Sequence, residues 1–306
     1  MSENMTDTET HGTVPGPALA VPDSKHSANH HPGNNMGRLL LDMGKLTPEG
    51  AEQVLRAAKE RGLRFGEAAV QLGLVSEEDI QQVLAHQFDY PYLHAGQGKY
   101  PPELVAAFQP FSPTVETLRA VRSQLMLRWF TEQRKSLVVA CVNEGEGASF
   151  LAANLAVVFS QLGEHTLLVD ANLRNPRQHD MFQLQERRGL SDILAGRADL
   201  SVITKVEYFV DLSVLAAGTL PPNPQELVSR TSFNELTQDL AARYDVILYD
   251  VAGFSTAADL MAVAACTEGV LLVVRKNQTR MAAISILNEQ LTRNGIEMVG
   301  TVVVDF

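Results

Sequence analysis

The sequence predicts an α/β fold, a doubly wound and mostly parallel sheet with a degenerate P-loop, preceded by a small all-α repeat domain. Three observations predict it. From Pro113 onward, short and nearly continuous apolar runs alternate with amphipathic stretches of helical period, the pattern of strands buried on both faces and joined by helical crossovers. Between the first such strand and the helix after it lies the glycine-bearing loop Asn143-Glu-Gly-Glu-Gly-Ala-Ser149. Ahead of that region the chain repeats itself at a fixed offset, Gly37, Gly44 and Leu55 recurring as Gly66, Gly73 and Leu84.

Taken in order, residues 1–34 are rich in Thr, Ser, Pro, Gly and His with almost no apolar periodicity, a composition that cannot repay ordering entropy, and are expected to form a disordered tail. Residues 35–94 read as a helical two-repeat domain. Each half has a short helix, a glycine turn (Met43-Gly44-Lys45-Leu46, then Leu72-Gly73-Leu74-Val75) and a second helix. Those second helices open on Thr47-Pro-Glu-Gly50 and Ser76-Glu-Glu-Asp79, each with a capping hydroxyl and acid in its first turn. Residues 95–112, with Gly96, Gly98 and the pair Pro101-Pro102, read as a linker. Residues 113–306 form the P-loop domain, with strands predicted at 137–140, 166–169, 212–215, 246–249, 270–274 and 298–304. In such sheets ligands sit beyond the carboxyl ends of the strands.

Composition sets outer bounds. A chain of 306 residues, 45% hydrophobic, can bury a full core. It has no run of 18 apolar residues and no secretory leader pattern, so a cytoplasmic protein is expected. Cys141 and Cys266, far apart in apolar settings, read as reduced thiols. A net charge of −11 argues against broad binding to nucleic acid but leaves room for a local nucleotide pocket.

The chemistry concentrates in three segments. Gly145 and Gly147 let the loop turn its amides inward, and the helix that follows adds a positive dipole end, so an anion can be cradled without side-chain charge. Ser149 is placed to hold Mg²⁺, whereas Ala148 puts a methyl group where a P-loop carries lysine. A glycine turn entering a helix also occurs without any ligand. Two strand ends narrow the choice: Thr166-Leu-Leu-Val-Asp170-Ala-Asn172-Leu-Arg174 and Val246-Ile-Leu-Tyr-Asp250 bring acids to the same sheet edge, where carboxylates position metal or water.

These segments resemble those of the bacterial tyrosine kinases (BY-kinases) that accompany chain-length determinants in polysaccharide export. Ser112-Pro-Thr-Val-Glu116-Thr-Leu-Arg119-Ala-Val-Arg122 is similar to that family's Glu-x-x-Arg-x-x-Arg helix. Gly145-Glu-Gly-Ala-Ser149 is similar to its P-loop, Asp170-Ala-Asn172 to its Asp-x-Asp motif, and Asp250 to its Walker B acid. Gly189-Leu-Ser-Asp-Ile-Leu-Ala-Gly196 and Ala217-Gly-Thr-Leu-Pro-Pro-Asn223-Pro-Gln-Glu-Leu227 are close to further family signatures. The resemblance implies ATP and Mg²⁺ as cofactors and nucleotide contacts from Gly145, Glu146, Gly147, Ala148, Ser149 and Phe150. It implies metal ligation by Ser149, Asp170 and Asp250, and catalytic positions at Asp170, Asn172 and Asp250. It implies homo-oligomer formation through Glu116, Arg119 and Arg122, and recruitment to the inner face of the membrane by a membrane chain-length determinant.

Three departures bear on activity. Lysine is replaced by Ala148, the second acid by Asn172, and the tyrosine cluster that usually ends the family is not seen, the last tyrosine being Tyr249. Phosphoryl transfer to tyrosine, a catalytically silent nucleotide-binding pseudokinase that controls assembly, and a nucleotide-free scaffold all stay open at this point. Arg174, or Arg119 or Arg122 of a neighbouring copy, is a candidate to replace the lysine. The helical repeat resembles the N-terminal domain of type II secretion ATPases, through Arg64-Phe-Gly66, Gly73, Ile80, Leu84 and Gln87. Some domains of that kind bind cyclic di-GMP; docking on protein is the other role the resemblance implies.

Overall fold

The computed structural model describes residues 32–87, 93, 100–255 and 258–305. It divides into two compact units, the first ending at Val83 and the second starting at Leu84. The disordered-tail reading of 1–34 falls mostly outside the described residues. Its last three residues, however, open a helix (α1, Pro32–Asp42), because the proline is tolerated in a first turn where no amide partner is needed.

The first unit holds α1, α2 (Pro48–Arg61), α3 (Phe65–Gln71) and the start of α4 (Glu77–Gln87). Its two halves are equivalent in detail. Gly44 and Gly73 take left-handed φ values of 66° and 65°, which end the first helix of each half. The Thr47 hydroxyl accepts from Gly50 N–H at 3.1 Å, and the Ser76 hydroxyl from Asp79 N–H at the same distance. A side chain on Gly37 would meet the Phe65 ring at 3.1 Å; one on Gly66 would meet Met36 Sδ at 3.2 Å. Met36 and Phe65 are themselves equivalent positions, so each glycine makes room for the large residue of the opposite half. Leu40, Val54, Ala69 and Val83 close the core between the halves.

The second unit begins with α5 (Val105–Phe108) and α6 (Pro113–Arg128). The stretch read as a linker does more than connect. Leu104, Ala106 and Ala107 are buried in the same apolar cluster as the central helix, and so is Leu93 just ahead of the stretch. Buried Asn154 fastens that stretch: its Oδ1 accepts from Ala106 N–H at 2.9 Å and its Nδ2 donates to the Glu103 carbonyl at 3.0 Å.

There follow β1 (Ser136–Cys141), α7 (Ala148–Ser160), β2 (Thr166–Asp170), α8 (Gln178–Met181), α9 (Leu190–Leu194), β3 (Thr204–Lys205), β4 (Leu212–Leu215), α10 (Pro224–Val228), α11 (Thr231–Ala241), β5 (Val246–Asp250), α12 (Asp259–Thr267), β6 (Gly269–Arg275), α13 (Met281–Arg293) and β7 (Glu297–Val304). All six predicted strands are present. The sequence reading missed β3, two residues long, which pairs antiparallel with β4 at the sheet edge; every other pairing is parallel. The order is β3-β4-β2-β5-β1-β6-β7: the crossover after β1 runs to β2 on one side and the crossover after β5 runs past β1 to β6 on the other, so the crevice at the switch point lies between β1 and β5.

Alternate residues of each strand feed opposite faces. Leu137, Val139 and Cys141 pack with α6 and α7, while Val138, Ala140 and Val142 pack with α11, α12 and α13. Helix α7 is buried almost throughout, which explains its uniformly apolar sequence. The single tryptophan, Trp129, donates its indole N–H to the Ser136 carbonyl at 2.9 Å. Its ring fills the space in front of Gly269, where a Cβ would lie 2.2 Å away.

Two signatures far apart in sequence form one structure. Gly189 lies against the backbone of Ala216 and Gly218, and buried Asp192 accepts from the amides of Gly189 (3.1 Å) and Thr219 (3.0 Å). Arg197 donates to Asp192 through Nε and Nη2. The carboxylate is held below its ordinary pKa by these donors, which outweigh the opposing effect of burial.

Candidate functional site

A pocket of about 480 Å³ opens at the carboxyl edge above β1. Gly145, Gly147, Ala148, Ser149, Phe150 and Asn172, all singled out in the sequence, line it; so do Glu103, Glu144, Arg177 and Gly253, which were not. Gly145 (φ 81°) and Gly147 (φ 94°) turn the loop in the left-handed region, and Gly147 is the N-cap of α7. This leaves the first amides of a buried 13-residue helix facing the pocket, the arrangement that binds anions. Ala148 is 5% exposed and presents only a methyl group.

Glu146 does not line the pocket. It turns back under the loop, where its Oε2 accepts from the amides of Val142 and Asn143, both at 3.0 Å. Its Oε1 accepts from the Thr279 hydroxyl at 2.6 Å. The loop is thus clamped to the end of β1 and to the turn after β6 by a buried carboxylate.

Asp170 and Asp250 sit side by side in register on β2 and β5, both fully buried beneath the pocket. Asp170 Oδ2 accepts from the amides of Arg177 (3.0 Å) and Gln178 (2.9 Å). Gln178, missed in the sequence, ties the floor together: its Nε2 donates to Asp250 Oδ2 at 2.7 Å and to the Ser149 carbonyl at 3.1 Å. Asp250 Oδ1 and Gln178 Oε1 are buried acceptors with no well-aligned donor, the Ser149 hydroxyl lying close enough to the Asp250 carboxyl to oppose its rise in pKa. Such atoms are costly unless a donor, water or cation meets them, so the floor fits a hydrated divalent ion. Among the described residues no three His, Cys, Asp or Glu side chains converge as a cage. A cation here would share its shell with phosphate and water, as Mg²⁺ does.

Burial in low dielectric pushes Asp250 up to about 6, with Gln178 hydrogen bonding opposing the rise. Asp170 is pushed well above the carboxylate range by burial and then by the Asp250 charge. A raised folded pKa means the folded chain holds protons that the unfolded chain has released, so stability is lost as pH rises from about 4 to about 6. Asp250→Asn should therefore raise the melting temperature of the ligand-free protein at pH 7.5, by on the order of 2 kcal/mol or several degrees. The gain should vanish near pH 4. A calorimetric melt of both chains at the two pH values checks this; an equal gain at both would show that carboxylate charge is not the cause.

Asn172 keeps a structural bond, its Oδ1 accepting from Asn175 N–H at 3.0 Å, but contributes no charge. Arg174 is corrected as a replacement for the lysine. Its guanidinium is held by buried Asp259 through Nε (2.7 Å) and Nη2 (3.1 Å), and it does not line the pocket. Arg122 is 9% exposed and donates to the Val158 carbonyl at 2.6 Å, capping the C-terminal end of α7 within its own chain. Arg119 pairs with Glu116 one turn away. Tyr249 is fully buried, its hydroxyl 3.4 Å from Thr237 Oγ1 and its pKa pushed up to about 12 by burial, so it is no accessible phosphate acceptor. Both cysteines are free thiols, and burial pushes Cys141 up to about 12, which keeps it protonated beside the pocket. Among the described residues no helix is long and apolar enough to cross a membrane.

Comparison with known proteins agrees with this geometry. Residues 134–297, more than half of the chain, match the family described as "Cellulose biosynthesis protein BcsQ". The tyrosine-protein kinase YwqD of Bacillus subtilis (strain 168) is 31% identical over 199 residues, which cover 65% of this chain and 84% of that protein. Among solved structures, the chimerical protein CapA2B2 aligns with a TM-score of 0.62 at 31% identity, over 73% of this chain and 97% of that one. The kinase domain of the Escherichia coli tyrosine kinase ETK aligns at 0.64 and 26% identity, over 69% and 82%. The chain belongs to the BcsQ family and is a tyrosine-kinase-like member of the P-loop group that includes the bacterial tyrosine kinases.

Proposed function

We propose that this chain is an ATP-binding, tyrosine-kinase-like partner of a membrane chain-length determinant in exopolysaccharide synthesis, which works by nucleotide-dependent assembly with phosphoryl transfer slow or absent. The observation that carries the reading is the pocket itself. The glycine cradle, the buried acid pair and the unpartnered floor oxygens are retained, while the two positions richest in transfer chemistry are a methyl (Ala148) and a neutral amide (Asn172). Binding needs an anion cradle and a cation site; transfer needs in addition charge placed against the moving phosphoryl group.

In this reading the amides of 145–150 hold the phosphates, and Ser149 and Asp250 hold Mg²⁺, with Asp170 setting the loop that carries Gln178. Bound Mg²⁺ would neutralise phosphate charge. The chain's residues contribute the dry floor and the fixed cradle. The exposed side of α6, with Glu116, supports homo-oligomer contacts, whereas the mostly buried side chain of Arg119 and the internal bond of Arg122 support a role in setting α6 within its own chain. The helical repeat, through its resemblance to secretion-ATPase domains, supports protein docking. Recruitment to the inner face of the membrane would then come through the partner.

The test is equilibrium titration of the full chain with Mg-ATP and Mg-ADP by calorimetry. Saturable binding in the micromolar range is expected. Failure of both nucleotides to bind up to millimolar concentration would overturn the reading in favour of a nucleotide-free scaffold.

A further inference from the structure

The pocket lacks the P-loop lysine, yet it does not lack a cation. Of its charged lining residues, Glu103 and Glu144 are acidic and Arg177 is basic. Two buried carboxyl groups lie under the same floor. Amide dipoles alone offset only about half a charge at a helix N-terminus, so a polyphosphate in this pocket would gain from a positive side chain as well as from the cation.

We infer that Arg177 takes over the phosphate-contacting role of the missing P-loop lysine, reaching the pocket from the loop after β2 instead of from the first turn of α7. The inference rests on the nucleotide reading above and names the residue that makes it workable. Its geometry is favourable on three counts. The root of the side chain is fixed, because Arg177 N–H donates to Asp170 Oδ2 at 3.0 Å and the next residue, Gln178, is bonded to Asp170, Asp250 and the Ser149 carbonyl. Its position beside the first turn of α7 is therefore set by the same acids that form the floor. Its guanidinium is uncommitted, exposed and in no ion pair among the described residues, whereas Arg174 three residues earlier is locked to Asp259. Finally, Arg177 lines the same pocket as Gly147, Ala148 and Ser149 of the cradle. A guanidinium also binds phosphate through two parallel N–H donors, which a lysine cannot do.

The test is fluorescence titration with Mg-mant-ADP on the full chain, for the unmodified protein, Arg177→Ala, Arg177→Lys, and Arg177→Ala combined with Ala148→Lys. Arg177→Ala is expected to weaken binding about 10- to 100-fold, the loss of a charge-assisted contact. Arg177→Lys should fall between, and the added lysine at 148 should restore affinity. Because Arg177 is exposed, melting temperatures should agree within a degree or two; were Arg177→Ala to unfold, Arg177→Lys against the unmodified chain still reads the loss of the two-donor contact. Binding by the unmodified chain that Arg177→Ala leaves unchanged, or that lysine at 148 fails to restore, would overturn the inference alone. No binding by the unmodified chain would remove the nucleotide reading, and this inference with it.

Discussion

Replacing Ala148 by lysine is expected to raise transfer of γ-phosphate from Mg-ATP to tyrosine by about 10²–10³-fold over the unmodified chain, the usual effect of one well-placed donor to developing charge. Ala148 lines the pocket at the first position of α7, so the new ammonium would lie next to the amide cradle and above the Asp170–Asp250 floor. Arg177 does not make this redundant. It approaches from another loop and is suited to holding phosphate oxygens in the ground state, and binding ground and transition states equally well does not raise the turnover rate. Nucleotide affinity should therefore change much less than rate. Adding Asn172→Asp should raise transfer again, by less than the product of the two single effects, because the two groups would act on one transition state. The measurement is labelled phosphate on the partner's cytoplasmic segment and on the chain itself. Measurable transfer by the unmodified chain, equal to that of Ala148→Lys, would end the silent-kinase reading and make this a kinase with a rerouted cation.

Gly189→Ala is expected to cost about 3 kcal/mol or more, a fall in melting temperature of roughly 6–12 °C. A Cβ at Gly189 would lie 2.0 Å from the Ala216 carbonyl oxygen and 2.6 Å from the Gly218 nitrogen. Both obstacles are backbone, so no rotamer change relieves the overlap. The two loops would separate, and Asp192 would lose the amide donors that hold its charge below the surface. Gly300→Ala is the control: its nearest new neighbour is Leu271 Cδ1 at 3.6 Å, ordinary contact distance. Thermal melts of the three chains decide the matter. A fall no larger for Gly189→Ala than for Gly300→Ala would mean that the crossing of the two loops is not tight in solution.

Sequence and structure share the account of this protein unequally. Strand and helix identity was legible from apolar period alone, since a strand buried on both faces has no polar alternative; the misses were β3, whose two residues carry no period, and the packing of Leu93, Leu104, Ala106 and Ala107. The halves of the helical repeat were legible as repeated glycines, because the turns at 44 and 73 need positive φ and glycine takes it without steric cost. The floor of the pocket was half legible. Asp170 and Asp250 announce themselves as acids ending apolar strands, and parallel pairing then sets them side by side. Gln178 and Arg177 give no such signal, since an amide or a guanidinium in a polar loop resembles any other until the chain folds back on β2. The same holds for Arg174 and Arg122, which composition cannot distinguish from Arg177. The sequence by itself determined the layers, the glycine cradle and the loss of its lysine, all of which depend on local backbone preference and burial. Only the tertiary structure decided which charges meet in the pocket, because a side chain's partner is set by through-space distance across the sheet and not by its neighbours along the chain.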